Sequence, residues 1–232
     1  MAPVVLIPGT LCDGRVFAPM LERLDLAATE IQPISHDNVV DAARHVLATA
    51  PPRFVALGFS LGGFVVLELL RLAPDRIVGA ALIASNAHPL QPGGAESRRA
   101  EVALAREVGV AGLIETLWPT YVAGDRLGDA TLKQVVVAMA EDVGIERFAA
   151  QAELAIGRPD SRATVKQTAI PLLALCGDQD AMSSPERCAV FANAPRARVV
   201  ELPGVGHFLP LEAPDPAALA LSEWMRELAP CC

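Results

Sequence analysis

From Phe54 to Leu70 the chain reads FVALGFSLGGFVVLELL, an apolar run bounded by Arg53 and Arg71. Hydrophobicity of that length suits either a bilayer or the interior of a layered α/β protein. The choice matters because 52% of the residues are hydrophobic and mean hydropathy is +0.37. Gly58, Gly62 and Gly63 cluster in the middle of the run, and Glu68 lies inside it. A charged carboxylate and a glycine cluster both work against a spanning helix. The run therefore predicts a strand, a tight turn and a helix, with no stable membrane insertion.

The same alternation extends on both sides. Residues 4–8 (VVLIP) read as a buried strand and 29–34 (TEIQPI) as a weaker one. Asp37 and Asn38 offer a cap for a helix through Ala50, which Pro51 and Pro52 end. Residues 53–59 form a strand, 61–73 a helix closed by Pro74, and 76–84 the next strand. This is the βαβ pattern of a parallel sheet covered on both faces. It then stops. A polar loop at 88–99 leads into helical stretches near 96–108, 110–117, 129–142 and 144–156. Alternation resumes with strand 170–176, helix 184–193, strand 197–202 and helix 215–228. Ser184-Pro185 and Asp215-Pro216 each predict an N-cap followed by proline at the first helical position. The expected organisation is an α/β core, 1–87 and 166–232, carrying an inserted helical segment, 88–165. The 232 residues suffice for one large domain with such an insertion.

Composition excludes several roles. Net charge is −8, aromatics are 4%, and the basic residues are dispersed, which argues against nucleic-acid binding. The start, MAPVVLIPGT, lacks a basic region before its apolar stretch and breaks at Pro8-Gly9, unlike a signal peptide. The expected location is cytoplasmic. The 5 cysteines, Cys12, Cys176, Cys188, Cys231 and Cys232, show no metal-ligand spacing. Cys176 and Cys188 read as small buried hydrophobes, and the terminal pair as a frayed tail. The sequence carries no signal for an oligomeric state.

Within LGFSLGG, Ser60 sits where strand 53–59 meets the helix from Leu61, at the carboxyl edge of the expected sheet. So tight a turn needs glycine at 58 and 62, while Gly63 lets the helix approach the sheet. The helix N-terminus would direct N–H groups at the site. A serine hydroxyl becomes nucleophilic only when a base takes its proton. Of the 4 histidines, His36 and His45 precede the turn and read as surface residues, and His88 as a loop residue. His207, in PGVGHFLPLE after strand 197–202, is the candidate base. Asp178 and Asp180 both follow strand 170–176, and either could hold the base's tautomer.

With Ser, Asp and His in that order, the sequence resembles the α/β-hydrolase fold superfamily over essentially its whole length. The resemblance implies an α/β fold with a mostly parallel sheet, helices on both faces and an inserted helical lid. Its G-x-x-D pattern, matched by Gly177 to Asp180, makes Asp180 the acid, with Asp178 the alternative. GVGHF resembles the family's stretch around the base, His207, and Glu212 in LEAP reads as structural. The family needs two backbone donors for an oxyanion. Leu61 supplies one by position, and Thr10, with Leu11 as near alternative, the other. Here Pro8 stands where many members have histidine. Cys12, on the same loop, could face the pocket or simply pack.

The resemblance implies a serine hydrolase that cleaves a small-molecule ester through an acyl-enzyme, with no metal or organic cofactor. Enol-lactone or carbon–carbon bond hydrolysis and thioester cleavage use nearly the same residues. Outside the enzyme class, the alternative is a catalytically silent ligand receptor. Leu113, Leu117, Trp118, Val136 and Met139 are candidates to line the pocket. Arg98, Arg99, Arg147 and Arg158 are candidate cations; one that reached the pocket would favour a carboxylated substrate.

Overall fold

In the computed structural model, which describes residues 2–26 and 29–228, six strands form a single parallel sheet: β1 (Val4–Ile7), β2 (Thr29–Ile31), β3 (Phe54–Phe59), β4 (Ile77–Ile83), β5 (Leu172–Gly177) and β6 (Ala197–Leu202). Their order is β2-β1-β3-β4-β5-β6. Every residue of β1, β3 and β5 is buried. That explains why they read as unbroken apolar runs: successive side chains point to opposite faces, and both faces are covered. The edge strands β2 and β6 are half open to solvent and carry the weaker signal. β2 is accordingly shorter than expected, three residues ending at Ile31, although the Gln32 amide still donates to Leu6 O.

The helices are α1 (Ala18–Leu21), α2 (Val39–Thr49), α3 (Leu61–Leu72), α4 (Gly94–Tyr121), α5 (Ala130–Gly157), α6 (Arg162–Gln167), α7 (Pro185–Cys188), α8 (Leu209–Glu212) and α9 (Pro214–Glu227). On one face of the sheet Val5, Ala56 and Leu82 pack with Val46 of α2 and Val66 of α3. On the other, Leu6, Leu57 and Ile83 pack with Met20 of α1 and Trp224 of α9. Each such fully buried aliphatic or aromatic side chain contributes roughly 1.5–3 kcal/mol relative to exposure. Asn38 caps α2, its side chain accepting from the Asp41 amide at 2.8 Å.

Between β4 and β5 the chain spends its length on α4 and α5, which pack on each other. Both break once. Gly109 (φ 77°, ψ 162°) and Gly144 (φ 75°, ψ 167°) adopt a conformation essentially closed to other residues. These breaks fall where the sequence pattern separates 96–108 from 110–117 and 129–142 from 144–156.

Several local expectations need correction. The helix expected over 184–193 is α-helical only to Cys188 and continues as a 3-10 turn through Asn193. Ser184 precedes it but makes no side-chain cap. α9 starts at Pro214, so Asp215 lies in its first turn and Ala213 holds the cap position. α1, α6 and α8 were not anticipated; they are too short for periodicity to register. No helix among the described residues is long and apolar enough to cross a membrane. Cys12, Cys176 and Cys188 are free and buried; Cys231 and Cys232 lie outside the described residues.

Candidate active site

The strand order reverses direction between β1 and β3, so the loops leaving those two strands flank a crevice at the carboxyl edge. Thr10 and Leu11 lie in the loop after β1, and Ser60 follows β3. Ser60 has φ 50° and ψ −111°. The described residues contain three non-glycine positions of positive φ, Leu11, Ser60 and Ala84, and each lies just beyond one of the strands β1, β3 and β4. Backbone strain of this kind costs on the order of 1–3 kcal/mol per residue. Here it is concentrated at the carboxyl edge of the sheet. The Ser60 amide donates to Ile83 O at 2.9 Å, and Ser85 Oγ donates to Ser60 O at 3.0 Å. A Cβ at Gly58 would overlap the Gly62 backbone, one at Gly62 the Ile7 carbonyl, and one at Gly63 the Ser85 hydroxyl.

His207 reaches the crevice from the loop after β6. Its amide donates to Tyr121 O at 2.9 Å, and Phe59 lies 5.4 Å from its ring, centroid to centroid. Asp180, from the loop after β5, is buried and accepts from the amides of Met182 (2.7 Å) and Ser183 (2.8 Å) on Oδ1. Its Oδ2 lies 2.9 Å from His207 Nδ1. A carboxylate only accepts, so Nδ1 carries the proton and Nε2 is left to accept. Ser60 Oγ lies 2.9 Å from that Nε2. Burial pushes Asp180 up, but the electrostatic attraction and ring N–H of His207 and the two amides outweigh it, holding the carboxyl below its ordinary range.

Asp178 is exposed and turned away; its Oδ1 accepts from the amides of Gly204 at 2.7 Å and Val205 at 3.3 Å, fastening the loop that carries His207. Glu212 is buried, and its Oε2 accepts from Ala123 N at 2.9 Å and Gly206 N at 3.0 Å. Burial raises this carboxyl above its ordinary range despite those amides. The Leu11 amide is donated to Gln151 Oε1 at 2.9 Å, whereas the Thr10 amide makes no hydrogen bond to the described residues. Gln151 Nε2 in turn donates to Ile34 O at 3.0 Å. The sequence held no signal for Gln151: a lone polar residue in a helical pattern reads as surface, and its burial depends on how α5 docks.

Two adjoining cavities share Thr10, Ser60, Arg98, Met182 and His207 as walls. They leave about 30 Å³ and 60 Å³ open to water-sized bodies. Val136 lines the first, together with Ile114, which the sequence reading passed over. Leu113, Trp118 and Met139 are buried in the core, and Leu117 is partly buried against it. Arg98 and Arg158 both line the second cavity. Arg99 instead pairs with Glu153 at the surface. His36 and His45 sit against each other, 5.2 Å between ring centroids. His88 lends its carbonyl to Arg158. Cys12 Sγ donates to Thr10 O at 3.2 Å, and the thiol packs in the core. Among the described residues no group of three or more His, Cys, Asp or Glu side chains gathers as a metal site would.

The arrangement is competent to draw a proton from Ser60 and stabilise the resulting imidazolium. A model of the alpha/beta hydrolase family matches residues 4–220. The pimeloyl-(acyl-carrier protein) methyl ester esterase of Xanthomonas campestris pv. campestris (strain B100) is 27% identical, covering 97% of this chain and 95% of that protein. The protein of the same name from Stenotrophomonas maltophilia (strain K279a) is 28% identical, over 98% and 94%. A thermophilic esterase from Thermogutta terrifontis superposes with a TM-score of 0.87 at 26% identity, covering 98% of this chain and 90% of that one. The enol-lactonase from Burkholderia xenovorans LB400 shares the fold, with a TM-score of 0.85 at 20% identity over 97% and 91%.

Proposed function

The chain belongs to the alpha/beta hydrolase family and is a hydrolase of the esterase type, and from that premise we propose that it cleaves a small-molecule carboxylic ester with Ser60 as nucleophile, His207 as general base and acid, and Asp180 as the group that orients His207. One observation carries this reading: the unbroken chain from Asp180 Oδ2 to His207 Nδ1 and from Nε2 to Ser60 Oγ, 2.9 Å at each link. As Ser60 Oγ attacks the ester carbonyl, its proton passes to Nε2, and Asp180 stabilises the imidazolium through Nδ1–H. The proton then leaves with the alcohol. Water, deprotonated by the same Nε2, releases the acid and regenerates Ser60.

The negative charge on the tetrahedral oxygen needs donors fixed in advance. We assign them to the amides of Leu61, at the start of α3, and Thr10. Leu11 is the weaker choice because Gln151 already takes its N–H. Segment 88–165 serves as the lid: Ile114 and Val136 from α4 and α5 line the same cavity as Ser60. The narrow cavities suit a short alcohol group, as in the methyl ester named for the relatives, whose acyl part is the longer pimeloyl-(acyl-carrier protein).

Labelling with a fluorophosphonate tests the assignment. Wild-type protein is expected to gain one adduct, on Ser60, and Ser60→Ala none. A native wild-type protein that stays unlabelled would sink the enzyme reading in favour of a ligand receptor.

A further inference from the structure

The reaction as proposed uses no arginine, yet two guanidinium groups stand in the wall of the second cavity, alongside Ser60. They are not equivalent. Arg98 is matched by Glu101, with Nη1 2.9 Å from Oε2. Arg158, directly after α5, has no carboxylate within ion-pair distance among the described residues. Its Nε donates to His88 O at 3.1 Å and its Nη1 to Ala155 O at 2.6 Å. The guanidinium also lies 4.6 Å from the centre of the Phe64 ring. These contacts fix the group in place but give it no carboxylate partner among the described residues.

The neighbours deepen the imbalance. Arg187 approaches from α7, its Nη2 reaching only Asn86 Oδ1 at 3.5 Å. The nearby carboxylate of Asp160 is already engaged by Arg162. Burial first, then Arg187 and Arg98, lower Arg158 to about 10. Burial, then Arg187 and Arg162, likewise lowers His88, because one more cation beside these arginines is unfavourable. Withdrawing a guanidinium from water beside other cations is costly unless an anion completes it. A planar fork of donors suits a carboxylate, the anion a half-ester carries.

We infer that Arg158 binds a carboxylate of the substrate, so that the preferred ester is a half-ester of a short dicarboxylic acid, with the free acid on Arg158 and the ester carbonyl at Ser60. This rests on the esterase reading for the reaction but not for the binding of the anion.

Two near-isosteric substrates separate those parts: ethyl hydrogen glutarate and ethyl pentanoate, both followed by release of ethanol. Wild type is expected to favour the half-ester in kcat/KM by about 10-fold or more, the scale of one charge-assisted pair. In Arg158→Gln that preference should collapse, chiefly through KM, and in Arg158→Lys part of it should survive. An unchanged ratio in Arg158→Gln, or a wild-type preference for ethyl pentanoate, overturns the inference. The ratio is internal to each sample, so partial misfolding does not distort it. Calorimetric titration of wild type with glutarate adds a readout without turnover. Saturable binding with neither ester cleaved leaves the anion site standing and removes the esterase reading. Cleavage of ethyl pentanoate with no glutarate binding does the reverse.

Discussion

Glycine does two different jobs in this molecule, and the contrast separates the turn at Ser60 from the paired helices α4 and α5. At the turn, Gly58, Gly62 and Gly63 are required because there is no room: a Cβ at any of them meets neighbouring backbone or the Ser85 side chain. In the helical pair, Gly109 and Gly144 have nothing within 4 Å of where a Cβ would stand, and are required only for their positive φ. One region is limited by space and the other by conformation. The first must be built to atomic tolerance because the proposed reaction needs Ser60 and His207 to meet, as they do at 2.9 Å. The second has only to bend a helix.

That contrast can be broken in order of effect. Asp180→Asn should lower kcat by roughly 10⁴-fold, since it stabilises the wrong tautomer of His207. Asp178→Asn, which touches only the loop beneath, should cost less than about 10-fold; the opposite ranking would transfer the acid role to Asp178. Gly62→Ala should destabilise the fold by more than about 4 kcal/mol in urea unfolding, and a midpoint near wild type would show that the turn has slack. Gly109→Ala and Gly144→Ala should each cost only about 1–3 kcal/mol, by the same measurement; losses matching that of Gly62→Ala would erase the distinction.

The smallest expected effect is a pH slope, and it has opposite signs for two buried carboxyls. Asp180 is held below its ordinary 3.8. It therefore adds stability above that value, lost as pH falls through the lower folded value. Glu212 is raised above its ordinary 4.5. Its folded form binds a proton first, so stability grows as pH falls through the raised value and is lost as pH rises again. Urea midpoints across the acidic range should show Asp180→Asn flattening the acid loss and Glu212→Gln flattening the gain; a shared sign would refute the pair.

Much of the fold was legible because parallel strands buried on both faces announce themselves as apolar runs. The breaks at Gly109 and Gly144 were legible because a helical period cannot cross them in phase. Ser60, Asp180 and His207 could be picked out because each follows a strand, and strands deliver their loops to one edge. What could not be read depended on docking. Gln151 is an ordinary helix residue until α5 comes to rest on the sheet edge. Arg158 was one of four candidate cations, and nothing in the sequence distinguished it from Arg99, whose partner Glu153 lies 54 positions away. Four-residue helices such as α1 and α8 carry too few turns for any pattern.

The bond from Leu11 N to Gln151 Oε1 joins α5 to the turn that carries Thr10. A lid that swung away as a rigid flap would take Gln151 with it and release a strained peptide at the edge of the crevice. Opening and disarming would then be one motion. In the proposed lid role, such an interlock would leave the turn that carries Thr10 relaxed while the cavity stands open.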